Sequence, residues 1–123
     1  MKIILASKSG VRKNILDKNG FETTVSPSNV DEDQVKEALI EKGADPEIIS
    51  KNLAELKSIK VGAKFPDQLV LGADSVVSLD SKLINKPVSR EKAFDILKLL
   101  NGQKHYLISS VCISKNSSMI WNY

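Results

Sequence analysis

The chain has 123 residues, 41% of them hydrophobic and 27% charged, and a net charge of +3. That is enough for one domain with a real core and is ordinary for a soluble protein. Aromatic residues make up only 5%, too few for the stacking platforms of a single-strand nucleic-acid binder. One cysteine, Cys112, excludes an internal disulfide and fits a reducing compartment, so the sequence reads as cytoplasmic. The apolar run at Ile3–Ala6 is too short for a signal-peptide core or a membrane span.

Charge is segregated along the chain. Lys2, Lys8, Arg12, Lys13 and Lys18 crowd the first twenty positions against Asp17 alone. Positions 31–50 are acidic, relieved by Lys36 and Lys42. This pattern suits a small anion better than duplex DNA, so no nucleic-acid or membrane partner is expected.

Residues 2–6 read as a buried strand, and Ser7-Lys8-Ser9-Gly10 as a tight polar loop. A helix follows over 11–18 with Val11 and Ile15 on one face, and Asn19-Gly20 stops it. A strand, a Ser/Gly loop and a basic helix start can cradle a phosphate, although the glycine spacing of a Walker loop is absent. A plain serine-capped turn explains the same residues equally well. Phe21–Ser26 is a strand. Asp31-Glu32-Asp33 is either the acidic start of a helix, with a short helix over 34–42, or a source of a metal or substrate ligand from Asp31 or Glu32. Asp45-Pro46-Glu47 starts a helix whose stripe is Ile49, Leu53, Leu56 and Ala63, with Lys57 beside it and expected to snorkel to solvent.

The stretch from Leu69 to Pro87 organises the rest. Apolar runs on either side of Gly72-Ala73-Asp74 give two strands, or one bent strand, with an acid at the turn; a buried acid there needs partners. A return through Leu83-Ile84 brings Lys86 to the same end of the sheet. Ser89 caps a helix over 90–100 with Ala93, Leu97 and Leu100 on one face. Residues 104–114 form a strand with Val111, Cys112 and Ile113 in the core, and Cys112 reads as a small packed hydrophobe. His105 has no second histidine or nearby cysteine for a zinc site. Met119–Tyr123 begins another apolar strand, so the sequence reads as a fragment with an open edge.

Six motifs in this order resemble the Maf family of nucleoside triphosphate pyrophosphatases. They are Leu5-Ala6-Ser7-Lys8-Ser9 with Arg12, Asp31-Glu32, Leu53-Ala54 with Lys57, Gly72-Ala73-Asp74, Lys86-Pro87, and Leu100-Asn101-Gly102 with His105. The resemblance covers residues 1–123 as one Maf-like nucleotide pyrophosphatase domain that lacks the family's C-terminal third. It implies an α/β fold: a mixed twisted sheet flanked by helices, elongated with a central cleft, similar to inosine triphosphate pyrophosphatases. It also implies hydrolysis of a nucleoside triphosphate to the monophosphate and pyrophosphate with a divalent metal, Mg2+ or Mn2+. On that basis Asp74 would be the general base. Ser7, Arg12, Lys57 and Lys86 would bind phosphates, and Glu32 with Asp74 would hold the metal. Val11 and Ser75, where the family often has Arg and Thr, would bear on base preference. The alternative is a nucleotide-binding regulator of cell division or septum formation that needs no turnover. A homodimer is left open.

Overall fold

The structure is a computed structural model and describes residues 1–123. Ten elements follow one another along the chain: β1 (Lys2–Leu5), α1 (Gly10–Lys18), β2 (Glu22–Val25), α2 (Glu32–Glu41), α3 (Pro46–Gly62), β3 (Leu69–Leu79), β4 (Lys82–Ile84), α4 (Arg90–Leu100), β5 (His105–Lys115) and β6 (Ser118–Asn122). They build one mixed six-stranded sheet in the order β2-β1-β3-β5-β6, with β4 on β3. β1 runs parallel to β2 and to β3, while β5 is antiparallel to β3 and β6 to β5. No helix is long and apolar enough to cross a membrane.

β3 is one continuous strand, paired with β5 over its whole length from Leu69↔Lys115 to Leu79↔His105. Asp74 therefore sits mid-strand, not at a turn. On its other edge β3 pairs with β1 only at Val70 and Leu71, and with β4 only from Val77 onward. The edge between, at residues 72–76, has no neighbouring strand. Val111 lies opposite Ala73, but its N–H and C=O both pair with Tyr123 on the far side. The main chain of Ala73 therefore turns toward the open edge.

The core lies under α3. Asp45 caps this helix, its side chain accepting from the Ile48 N–H at 2.9 Å, with Pro46 in the first turn. Its buried face is Ile49, Ser50, Leu53, Ala54, Lys57, Ser58, Val61 and Gly62, the three-to-four spacing of one helical side. Leu56 and Ala63, expected in the stripe, are exposed; they lie off the line that runs through positions 49, 53 and 57. Lys57 is on that line and is buried instead of snorkelling. Gly72 permits the contact. A Cβ at Gly72 would stand 2.2 Å from the Ala54 carbonyl oxygen and 2.7 Å from the Ser58 nitrogen, so only glycine lets helix and strand backbones touch here.

Other expected faces differ. Val11 and Ile15 on α1 are exposed, as is Leu97 on α4; neither helix fully buries any residue. In β5 the buried positions alternate as Ser110, Cys112 and Ser114, with Val111 and Ile113 only half-buried. The strand has one face under α3, so its pleat divides the apolar run that the sequence presents as continuous.

Candidate active site

The unpaired edge of β3 opens beside a cavity of about 630 Å³. Its wall includes Ser7, Lys8, Arg12, Glu32, Lys57 and Lys86. Each comes from a different local solution. The loop after β1 carries Ser7, whose Oγ accepts from the Ser9 N–H at 3.1 Å, while Ser9 Oγ caps α1 by accepting from the Arg12 N–H at 3.2 Å. The cap orients the first turn of α1, and Arg12 Nη1 donates to Ser7 Oγ at 3.1 Å and to the Ala73 carbonyl at 3.2 Å. Asp31 caps α2, accepting from the Gln34 N–H. Of the two readings of the acidic stretch, Asp31 serves as the cap while also lining the cavity, and Glu32 lines the cavity and pairs with Lys57. The loop before α2 is tied to α3 by Lys60, whose Nζ donates to the Asn29 carbonyl at 2.9 Å.

Lys57 joins these parts. Its ammonium contacts Glu32 Oε1 and donates to Asp74 Oδ1 at 3.2 Å and to the Ala73 carbonyl at 3.4 Å. Asp74 is 2% exposed and does not itself line the cavity; it stands behind Lys57. Its Oδ2 is buried with no hydrogen-bond partner, an arrangement that costs folding energy. Its backbone carbonyl accepts from Ser50 Oγ at 3.1 Å. Burial pushes the Glu32 carboxyl up. The hydrogen bond from Lys57 and the charges of Lys57, Lys86 and Lys36 outweigh that and hold it below the usual glutamate range. Burial pushes the Cys112 thiol up, away from the reactive thiolate form.

Glu32, Lys57, Asp74, Ser7, Arg12 and Lys86 are therefore brought to one place. Val11 and Ser75 are not part of the wall. Val11 is exposed on α1, and Ser75 points to the other side of the sheet, where its Oγ bonds Ser109 Oγ at 2.8 Å. Sequence reasoning missed Lys8 and Asp33, both in the wall, and Lys36, buried on α2 one turn after Glu32. The basic cluster at the N-terminus was the signal for Lys8; nothing in the spacing marks Lys36.

A divalent cation would find two carboxylates here, Glu32 and Asp74; Asp31 and Asp33 line the same cavity, but no three acids, imidazoles or thiols cluster as a metal cage. That donor set fits Mg2+ or Mn2+ bound through one or two carboxylates and completed by water and substrate phosphates. The buried, unpartnered Asp74 Oδ2 is an oxygen available to it.

The family model described as Maf-like protein matches residues 2–122. The chain belongs to the Maf-like family. A relative named nucleoside triphosphate pyrophosphatase from Pelagibacter ubique is 62% identical over 122 residues, 99% of the Maf-like chain and 63% of the relative. One named 7-methyl-GTP pyrophosphatase from Brucella abortus is 35% identical over 123 residues, 100% of the chain and 62% of the relative. The chain thus spans under two-thirds of the length of these relatives. A HAM1 protein from Coxiella burnetii superposes with a TM-score of 0.61 at 13% identity, covering 100% of the chain and 68% of that structure. At that identity the likeness concerns the fold, which is the mixed α/β architecture implied by the motifs.

Proposed function

We propose that the protein hydrolyses a nucleoside triphosphate to the monophosphate and pyrophosphate. The observation that carries this is the pairing of a cation-lined cavity with a buried carboxylate, Asp74, held by Lys57 at its inner wall. The names of the relatives support the same reading. Lys8, Arg12 and Lys86 bind and orient the polyphosphate, and their charge opposes the negative charge that builds on the leaving pyrophosphate. Ser7 fixes the Arg12 guanidinium. Asp74 accepts the proton of the attacking water. Glu32 and Asp74 would hold the divalent cation, which when bound supplies Lewis-acid polarisation of a phosphoryl oxygen and offsets substrate charge.

The burial of Asp74 behind Lys57 favours a second reading, a nucleotide-binding regulator without turnover, more than an open site would. One experiment separates the two. The purified protein is given a panel of canonical and modified nucleoside triphosphates with Mg2+ or Mn2+, and the products are identified. Monophosphate and pyrophosphate in equal amounts, lost in excess chelator, are expected. Tight nucleotide binding without pyrophosphate would replace the enzyme with the regulator.

A further inference from the structure

We propose that Lys57 is the resident cation of the carboxylate site, and that a divalent cation enters only as a polyphosphate draws the ammonium away. The inference rests on reading the cavity as a polyphosphate site. An ammonium has three donors. All three are engaged inside the protein, with Glu32 Oε1, Asp74 Oδ1 and the Ala73 carbonyl. Lys57 has no N–H left for a phosphate unless it releases one of these. The oxygens around it, two carboxylates and a carbonyl, are the donor types that a hard divalent cation takes.

Charge makes the two occupants exclusive. Asp31 and Asp33 line the same cavity but make no ion pair with Lys57; Glu32 and Asp74 supply the two negative charges that touch the ammonium. The ammonium leaves one of these unbalanced, and a divalent ion would balance both. Both cations together would overfill the site, since Lys36 and Lys86 already bring positive charge to bear on Glu32. The buried Asp74 Oδ2 without a partner marks the mismatch: the ammonium satisfies one oxygen of that carboxylate and leaves the other bare. The state with Lys57 inside is thus a closed form. Incoming phosphates offer Lys57 new acceptors, and as it leaves, the carboxylates become free to hold the metal that travels with the polyphosphate. Lys57 in this account sets the order of loading, metal with nucleotide and not before it.

The test is Mn2+ binding with no nucleotide present, read by electron paramagnetic resonance and by the thermal midpoint. It compares the parent, Lys57→Gln and Lys86→Gln. The parent should bind Mn2+ weakly and gain little stability from it. Lys57→Gln should bind about tenfold tighter or more, the direction and scale expected when a like charge at contact distance is removed. Lys86→Gln removes a cation that does not sit between the carboxylates and should change affinity far less. Equal or weaker Mn2+ binding by Lys57→Gln overturns the proposal, as does an equal gain in Lys86→Gln. If Lys57→Gln does not fold unaided, recovery of its circular dichroism spectrum on adding Mn2+ supports the proposal and absence of recovery overturns it. Pyrophosphate release by the parent is scored separately, so failure of the loading order leaves the pyrophosphatase reading intact, and the reverse also holds.

Discussion

The two ends of the β3–β5 ladder are built from the same kind of pairing and end up in different environments. At one end, α3 lies directly on the sheet, and Ile49, Leu53, Val61, Val70 and Cys112 are sealed from water. At the other, α4 carries Phe94, Leu97 and Leu99 largely exposed, and β5 opens with Tyr106 and Leu107 exposed as well. The pairing register is continuous through both. Backbone hydrogen bonds therefore do not decide where the core is; the helix that can approach closely does. The reactive groups sit between the two ends, with Lys57 midway along the buried face of α3 and Asp74 midway along β3.

The sharpest way to break this contrast is at the border itself. Asp74→Asn keeps size and hydrogen-bonding shape but cannot take a proton, so turnover should fall by roughly 10²–10⁴-fold, the usual contribution of a general base. Nucleotide affinity and the fold should persist, because an amide is easier to bury than a carboxylate. Near-parental pyrophosphate release would remove Asp74 from the mechanism. At the covered end, Gly72→Ala drives a methyl into the Ala54 carbonyl. We expect a loss of about 1–3 kcal/mol in urea unfolding, typical of overpacking, together with reduced turnover as Lys57 is carried away from Asp74. Unchanged stability would mean that α3 does not need that contact.

Glu32 gives a smaller and pH-dependent effect. Its carboxyl is held below the usual range in the folded protein, so the unfolded chain binds its proton more readily. The associated stability is present at neutral pH, and it is lost as pH falls below the ordinary glutamate range and through the lowered folded value. Urea midpoints measured between about pH 3 and 6 should show a shallower fall for Glu32→Gln than for the parent; parallel curves would contradict the Lys57 pairing. The smallest effect belongs to the uncovered end. Leu97→Ser on α4 should change stability by no more than about 0.5 kcal/mol, since Leu97 is 66% exposed. A drop of several times that size would show that the α4 face is covered in solution.

Most elements were legible because their signals are local. The Asp45-Pro46 start of α3, the Asn19-Gly20 stop and the Ser89 cap each act within a few residues. The burial of Lys57 was not legible. Apolar residues at Leu56 and Ala63 drew the stripe to the wrong side, and only contact with β3 shows that positions 53 and 57 share the inner line. The exposure of Leu97 has the same origin, since an amphipathic pattern says which face could be buried and not whether anything covers it. Gathering of Glu32 and Lys57 was anticipated through family motifs. The choice between two strands and one bent strand around Asp74 stayed open, because Gly72-Ala73 looks like a turn until the β5 register is known.

The missing rung beside Ala73 gives the site an unusual kind of permanence. In a fully paired sheet that carbonyl would face a neighbouring strand. Here Arg12 and Lys57, from two different helices, both donate to it. Their shared anchor is therefore a main-chain oxygen that every amino acid carries. Replacement of the side chain at position 73 leaves that acceptor in the chain, whereas Ser7, Glu32 and Asp74 can each be erased by one codon change. Only a shift in backbone pairing, one that extends β1 or β4 across the gap, would take the anchor away. Sequence drift at this position and failure of the cation framework are, to that extent, uncoupled.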